Sequence, residues 1–404
     1  MGILKMAWRN LWRHRRRSVV TIAAMTLSLF VLILYTGLVE GYLDNMEGNI
    51  LDLEVGDVQA HEGDYLNRPS IYTRIEEPET LVDTLESEGY HASARLLGGG
   101  LVAAGDSSAG ASFRGVDVAR DARVSKINRH VSRGEWLDPS EPKGVVLGRR
   151  LAQTLDVDTG DELVFLSQAT DGTTANDLFE VRGVLLSVGE GTDRSGVFMT
   201  AASFREFFAL ADGAHQIIMR RAGDQELDDV AGAVRAMRAS LDVKTWRELM
   251  PTMASIIDST RAMVQIVFYV VYVVIAILVL NAMLMAVFER IREFGVMKAI
   301  GVTPATVLGI ILAEAALQTG IAIGIGLALS VPGLWYLTHV GIDTGAMGGM
   351  TLMGVAFNQI WYAIVTPHTF WGPVIALVVM VALAVVYPAL KAARLGPLEA
   401  MRHQ

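Results

Sequence analysis

Residues 262–288 read AMVQIVFYVVYVVIAILVLNAMLMAVF, which is 27 consecutive residues without a charged side chain. A transmembrane α-helix needs about 20 predominantly apolar residues to cross a hydrocarbon core of ~30 Å. The stretch is therefore long enough to span a bilayer. It is followed directly by ERIREFGVMKAIGVTP at 289–304, where charged and apolar residues are interspersed. The junction predicts a membrane helix that leads into a short amphipathic helix outside the membrane.

Three further stretches have the length and composition of membrane spans. Ser18–Val39 contains no charged residue, Pro304–Leu337 contains only Glu314, and a third apolar segment lies near Phe370–Leu390. Ser18–Val39 is longer than the apolar part of a cleavable signal peptide. The whole chain is 52% hydrophobic and 19% charged, against a charged fraction of ~25% in average soluble domains. The sequence therefore predicts four transmembrane helices.

The basic residues predict the orientation of these spans. Residues 1–17 hold six Lys or Arg and no acid. Further basic residues lie between the second and third spans and after the fourth: Arg290, Arg292, Lys298, Lys391, Arg394 and Arg402. Cytoplasmic segments of membrane proteins carry an excess of Lys and Arg. We expect a multi-pass membrane protein with both termini in the cytoplasm.

Residues 43–260 then form one extracytoplasmic domain inserted between the first and second helices. This segment of about 218 residues is too long for a loop and large enough to bury its own core. Within it, 44–258 hold 37 acids against 21 bases. The predicted fold class is a membrane protein with four transmembrane α-helices and an α+β extracytoplasmic domain.

Hydrophobic alternation and turn residues predict the elements of this domain. The predicted strands are Gly144–Leu147, Glu162–Ser167, Leu178–Ser187 and Val197–Thr200. The predicted helices are Glu79–Glu88, Arg149–Leu155, Ala201–Leu210 and Asp224–Ser240. Thr200 is the expected N-cap of the third of these helices.

Several classes of function lack support. There is no cysteine, and no two of the eight His are spaced i, i+4, so a metal site is not expected. The single basic run abuts an apolar stretch and offers no continuous surface for nucleic acid. The chain contains no GxxxxGK[ST] phosphate loop, no GxSxG elbow and no HExxH helix. We expect a chain that is not an enzyme and holds no cofactor.

The charged segment 289–304 is a candidate docking helix. It offers charges of both signs from Glu289, Arg290, Arg292, Glu293 and Lys298. Its apolar residues are Phe294, Val296, Met297 and Ile300. A solvated connector between two spans would show a similar pattern. The pattern by itself leaves both readings open.

Four ordered stretches carry a resemblance that covers nearly the whole chain. They are AWRNLWRHRRRS at 7–18, VVLGRRLAQTLDVDTGDEL at 145–163, ERIREFGVMKAIGVTP at 289–304 and YPALKAARLGPLEAMR at 387–402. The sequence resembles the MacB/FtsX/lipoprotein-releasing (LolC/LolE-like) superfamily of ABC transporter permeases. The resemblance implies a protein of the bacterial inner membrane whose large domain is periplasmic. It further implies a partner ATPase subunit that binds ATP and Mg²⁺. It also implies that the helix after the second span couples to that ATPase through Glu289, Arg290, Arg292, Glu293, Phe294, Met297, Lys298 and Gly301.

The resemblance completes the predicted organisation of the chain. In order, this is a cytoplasmic amphipathic elbow helix at 1–17, a first span at 18–42, the periplasmic domain at 43–260, a second span at 261–288, the coupling helix at 289–303, a third span at 304–337, an outer loop at 338–368, a fourth span at 369–390 and a cytoplasmic tail at 391–404. Trp361, Tyr362 and Trp371 suit an interfacial aromatic belt at the outer face.

Relatives of this family act as dimers whose first two spans line an apolar cavity for the acyl chains of a lipoprotein. The resemblance therefore implies a second permease subunit, either a copy or a paralogue, together with membrane lipids as partners. The candidate cavity residues are Tyr35, Tyr269, Tyr272, Met283 and Met285. Plain lipid or helix contacts are the alternative role for these side chains.

The lipoprotein-releasing permeases are the subfamily with the strongest resemblance, through GYLDNMEGNIL at 41–51, LFEVRGVLLSVGEGTDRSGVFM at 178–199 and VKTWRELMP at 243–251. A chaperone-recruiting type of subunit carries a long Pro-containing hairpin, whereas the corresponding Gln168–Asp177 is short and lacks Pro. Recruitment of a periplasmic chaperone or adaptor by this chain is therefore in doubt. Export of a macrolide or peptide is an alternative function. An FtsX-type transmitter that regulates a cell-wall hydrolase is another.

Glu314 is a carboxylate within the third predicted span. Intramembrane acids are candidates for function. Gly320 and Gly324 beside it would allow close helix packing, which favours a packing or hydrogen-bonding role for Glu314 over a proton relay.

Overall fold

A computed structural model describes residues 2–13, 15–221, 223, 225–343, 351–352, 355–356 and 360–394. The chain divides into two compact units. The first consists of Met1–Leu43, Asp258–Asp343 and Ile360–Gln404, and the second of Asp44–Ile257 and Thr344–Gln359. The predicted outer loop and cytoplasmic tail lie partly outside the described residues.

Helices and strands are numbered separately in chain order. The helices among the described residues are α1 Ile3–Arg13, α2 Arg15–Ile50, α3 Pro78–Ser87, α4 Val118–Val124, α5 Arg149–Leu155, α6 Glu190–Ser195, α7 Ala201–Phe207, α8 Leu227–Met237, α9 Trp246–Leu249, α10 Pro251–Glu289, α11 Ile291–Ala299, α12 Pro304–His339 and α13 Pro367–Arg394. The strands are β1 Val58–Glu62, β2 His91–Ala104, β3 Ser107–Val116, β4 Val131–Gly134, β5 Gly144–Leu147, β6 Glu162–Gln168, β7 Thr174–Leu185, β8 Gly196–Thr200, β9 Gln216–Arg220, β10 Leu241–Thr245, β11 Ile342–Asp343, β12 Thr351–Leu352, β13 Val355–Ala356 and β14 Ile360–Trp361.

Four helices, α2, α10, α12 and α13, are long and apolar enough to cross a membrane. They contain the four predicted spans, but α2, α10 and α13 extend several residues beyond them. Hydropathy detects only the uncharged middle of such a helix, whereas helical hydrogen bonding continues into the polar residues at its ends. For the same reason the predicted elbow helix 1–17 is too long. The structure ends α1 at Arg13 and begins α2 at Arg15.

Close packing between α2 and α12 depends on glycines other than the predicted ones. A Cβ atom at Gly326 would lie 2.9 Å from a methyl carbon of Leu29, and one at Gly333 would lie 3.0 Å from Leu34. A Cβ atom at Gly320 or Gly324 would have no neighbour within 4 Å among the described residues. The expectation that Gly320 and Gly324 pack a helix closely is wrong within this chain, because they lie on the exposed face of α12.

The second unit is an α+β fold around one ten-stranded sheet. Its strand order is β10-β1-β9-β2-β3-β8-β5-β7-β4, and β6 pairs with β2 and β7. Most neighbours are antiparallel, but β3 with β8 and β5 with β7 are parallel. The predicted strands and helices of this unit are confirmed. Their ends differ by a few residues, as at α8, which begins at Leu227 instead of Asp224.

The local signals for α7 are also confirmed. Thr200 caps this helix by accepting a hydrogen bond from the Ser203 amide through its hydroxyl. The helix then presents Phe204 to the sheet, where Gly115 of β3 leaves space for the ring. A Cβ atom at Gly115 would lie 2.5 Å from the Phe204 Cβ, so a larger residue would displace the helix.

His215 is held neutral in the interior of the same unit. Its Nδ1 accepts a hydrogen bond of 3.0 Å from the Leu97 amide, and its Nε2 donates one of 3.1 Å to the Ile71 carbonyl. This pattern fits only one neutral tautomer, because a protonated Nδ1 could not accept. Burial lowers the pKa of His215 to about 4, assisted by the positive charges of Arg74 and Arg205.

Candidate coupling site around helix α11

Helix α11 ends at a glycine turn, which is followed by the N-cap of α12, and the residues of both are recognisable in the sequence. Gly301 has φ +98°, a left-handed conformation that favours glycine. The Gly301 amide bonds to the Lys298 carbonyl and the Val302 amide to the Met297 carbonyl, at 3.0 Å each, which is a Schellman termination. Thr303 then caps α12 with Pro304 in its first turn. The predicted coupling helix 289–303 is therefore shorter, at Ile291–Ala299.

One face of α11 is largely exposed in the described part of the chain. Arg292, Val296 and Ile300 follow each other at intervals of four residues and so lie on one side of the helix. Val296 is 49% exposed and Ile300 is 77% exposed. Arg292 is exposed and has no acidic partner among the described residues. This surface, called the free face below, combines one positive charge with two apolar side chains.

Three of the other predicted coupling residues, Phe294, Met297 and Lys298, face inward, whereas Glu289 and Gly301 are exposed. Phe294 is 2% exposed and belongs to the core between the membrane helices, so it cannot contact a partner surface as expected. Met297 is half-buried against the same core. The Lys298 ammonium donates to the Ala392 and Ala393 carbonyls at 3.0 and 2.7 Å, in the last turn of α13. Burial lowers the pKa of Lys298, and the negative end of the α13 dipole favours its charge.

A buried ion pair joins the start of α11 to α12. Nη1 of Arg290 lies 3.1 Å from Oε2 of Glu314, and the side chains are only 9% and 4% exposed. Arg290 also donates from Nε to Glu293 at 3.2 Å, and its guanidinium lies 5.0 Å from the ring centre of Phe294. Arg290 thus joins α11 to α12 inside the protein. The expectation that Arg290 lies on the docking surface is wrong.

Two arginines from the N-terminal helices pair with the acids at this site. Arg13 donates to Glu293 at 2.8 Å and Arg17 donates to Glu289 at 2.9 Å. The arginines are four residues apart in the chain, and so are the acids. Arg13 and Arg17 nevertheless lie on α1 and α2, and Glu289 and Glu293 on α10 and α11, so the two ion pairs connect four different helices. The sequence prediction missed these contacts, although the i, i+4 spacing of bases at 13 and 17 and of acids at 289 and 293 was visible.

The five candidate cavity residues do not share one environment. Tyr272 is 2% exposed and its hydroxyl donates to the Pro373 carbonyl at 2.6 Å, and Met283 is 3% exposed in the helix core. These two are excluded from a cavity wall, because the chain's own helices cover them. Tyr269 and Met285 are 66% and 58% exposed on α10, and Tyr35 is partly buried on α2.

A second polar cluster, not predicted from the sequence, lies at the other end of α2. The Glu40 carboxylate accepts hydrogen bonds from Thr366 at 2.9 Å and Thr369 at 2.8 Å. The two threonines cap the start of α13, since each backbone amide donates to the other's hydroxyl. Gly41 allows the approach, because a Cβ atom there would lie 2.0 Å from the Tyr362 carbonyl. The cluster fixes the start of α13 against the end of α2.

Comparison with known proteins shows the family of this chain. Residues 18–237 match the family model of the MacB-like periplasmic core domain, and residues 265–397 match that of the FtsX-like permease C-terminal region. Together these matches cover most of the chain. The protein belongs to the MacB/FtsX/lipoprotein-releasing superfamily of ABC transporter permeases. Its four apolar helices and periplasmic-type domain are those of an inner-membrane protein.

Individual relatives are similar along much of the chain. The lipoprotein-releasing system transmembrane protein LolC of Neisseria meningitidis serogroup B is 20% identical over 406 residues, which cover 96% of this chain and 94% of that protein. LolC of Xylella fastidiosa is 23% identical over 308 residues, 73% of each chain. The periplasmic region of MacB from Actinobacillus actinomycetemcomitans aligns at 12% identity with a TM-score of 0.38, over 52% of this chain and 96% of that one.

Proposed function

We propose that this chain is the permease subunit of an ABC transporter that extracts lipidated cargo, namely lipoproteins, from the inner membrane. The nearly end-to-end similarity to a LolC protein carries the choice of cargo. ATP and Mg²⁺ bind to a partner ATPase subunit, since this sequence contains no phosphate-binding loop. The role of this chain is to transmit conformational change, because the candidate site consists of ion pairs and packed helices.

The free face of α11 is the proposed contact with the ATPase. Arg292, Val296 and Ile300 would meet the partner directly. Movement of α11 would then reach α12 through the Arg290–Glu314 pair, and it would reach the N-terminal helices through Arg13 and Arg17. A stiff junction of this kind transmits force better than a solvated connector, because each contact is short and the Arg290–Glu314 pair is buried.

Helix α10 supplies the proposed cargo surface. Only 17% of its most apolar window is buried, against 39% for each of the other three membrane helices. Its exposed face must therefore meet lipid, a second permease subunit or cargo. Tyr269 and Met285 lie on this face. We assign them to the cargo surface, together with Tyr35 of α2.

The proposed topology places the α+β unit in the periplasm, between the first and second membrane helices, and α11 with both termini in the cytoplasm. Six basic residues within 1–17 support this orientation. The β6–β7 hairpin ends in a turn closed by a bond from the Ala169 amide to the Thr173 carbonyl. So short a tip supports a role in which a different subunit contacts any periplasmic chaperone.

The test is ATP hydrolysis by the complex that copurifies with this chain, reconstituted in lipid nanodiscs. We expect a triacylated lipopeptide to stimulate hydrolysis and the same peptide without acyl chains to have no effect. Tyr269→Leu should lower this stimulation several-fold, whereas Tyr336→Leu, at a tyrosine that is 53% exposed on α12, should not.

Other results of this experiment would support one of the two alternative functions. Stimulation by a macrolide and not by the lipopeptide would indicate drug export. No stimulation by either, combined with binding of a cell-wall hydrolase, would indicate an FtsX-type transmitter. ATP hydrolysis by the isolated chain would contradict the division of labour between the two subunits.

A further inference from the structure

Two arginines near the start of α2 have no acidic partner in the described part of the chain. Arg13 and Arg17 are neutralised by Glu293 and Glu289. Arg15 and Arg16 are exposed and have no acidic partner among the described residues. The internal pairing thus leaves two guanidinium groups available for an external ligand.

These arginines border a groove with one charged and one apolar side. The groove has a volume of about 460 Å³ and is lined by Arg13, Arg15, Arg16, Arg17, Met285 and Glu289. Four positive charges face one carboxylate, so the lining carries a net positive charge. Met285 is 58% exposed, and the apolar exposed face of α10 continues from it toward the middle of the helix. An occupant that suits both sides has an anionic head and an apolar tail.

The neighbouring helix indicates the depth of this groove in the membrane. Trp8 and Trp12 of α1 form an edge-to-face pair with ring centres 5.9 Å apart, and they are 48% and 45% exposed. Exposed tryptophans of amphipathic helices favour the headgroup region of a bilayer. The groove therefore lies where lipid phosphates are found.

We propose that Arg15 and Arg16 bind the phosphate of an anionic phospholipid, whose acyl chain lies along the exposed face of α10. A guanidinium donates two parallel hydrogen bonds to a phosphate, which an ammonium cannot do. The site is independent of the cargo, since it requires only that α2 and α10 cross the membrane. An ATPase surface is the competing occupant, because Glu289 of the groove lies beside α11.

The experiment compares lipids retained by the purified complex. Nanodiscs are prepared from phosphatidylcholine with a minor fraction of phosphatidylglycerol, and the lipid that remains bound after mild delipidation is measured by native mass spectrometry. We expect enrichment of phosphatidylglycerol in the unmodified protein. We expect at least about a fivefold loss of that enrichment in R15Q/R16Q, from the attraction of each basic residue to an anionic lipid.

Two control variants sharpen the comparison. R149Q/R150Q removes another exposed arginine pair, from the α+β unit, and should leave the enrichment unchanged. R15K/R16K keeps the charges that orient α2 and should lose part of the enrichment, because lysine cannot bind bidentately. Inorganic phosphate at millimolar concentration should not displace the lipid, since it lacks the acyl chain.

Three results would overturn the proposal. The first is equal phosphatidylglycerol enrichment in R15Q/R16Q and the unmodified protein. The second is displacement of the lipid by inorganic phosphate, which would show a simple anion site. The third is unchanged enrichment with loss of the ATPase from the R15Q/R16Q complex, which would assign the arginines to subunit docking.

Discussion

Replacing Glu314 with leucine tests the buried ion pair at the centre of the coupling site. The substitution keeps the side-chain volume but leaves the Arg290 guanidinium, 9% exposed, without its buried partner. Breaking such a pair costs about 3–5 kcal/mol, because one charge stays buried and uncompensated. Arg290 retains Glu293 at 3.2 Å. We therefore expect a loss of about 3 kcal/mol in the free energy of unfolding, at the lower end of that range.

The assay is unfolding in mixed micelles with increasing SDS, followed by tryptophan fluorescence. Gln318→Leu is the matched control, since Gln318 lies one turn further along α12 and is 4% exposed, close to the 3% of Glu314. The control leaves no buried charge behind and should cost less than about 1 kcal/mol. Equal stability of Glu314→Leu and the unmodified chain would refute the reasoning, because it would mean that no ion pair exists at Glu314.

The double variant Arg290→Met/Glu314→Leu separates stability from coupling. Replacing both members of a buried pair by apolar residues is often neutral or stabilising, so we expect the lost stability to return. The hydrogen bond between α11 and α12 does not return. If the pair transmits movement, lipopeptide-stimulated ATP hydrolysis should remain lower than in the unmodified complex. Full recovery of both properties would limit the pair to a structural role.

Three further predictions concern other parts of the chain. Arg292→Glu should greatly reduce copurification of the ATPase, because opposed like charges at an interface cost several kcal/mol, whereas Arg150→Glu should not; equal copurification would move the contact off the free face. The α+β unit should lose on the order of 3 kcal/mol in the free energy of unfolding as the pH falls from about 6.5 to about 4. In this range His215 binds a proton in the unfolded chain but stays neutral in the folded one, because its pKa is about 4 when it is buried. Unfolding of the full chain across this pH range measures the effect, and a flat profile would contradict it. A cysteine at Ser107 should react with a membrane-impermeant thiol reagent that is added to cells with an intact inner membrane and reaches only its outer side. Protection of this cysteine from the reagent would contradict the proposed topology.

The membrane spans, turns and helix caps could be predicted from short stretches of the sequence. A membrane helix is identified by its composition over about 20 residues, so the four spans could be predicted without knowing which helices pack against each other. The turn after α11 was equally local, because Gly301, Thr303 and Pro304 each have a conformational preference of their own. The same holds for α7, which begins after the cap at Thr200.

Tertiary structure decided which side of each element is covered. From the sequence, Tyr269 and Tyr272 were equal candidates for a cavity, but contact with α13 buries the second and leaves the first exposed. Phe294 and Ile300 looked alike as docking residues until packing placed one in the core and the other at the surface. The difference arises because burial depends on residues distant in sequence, and an apolar side chain suits a core, a lipid surface and a partner interface equally well.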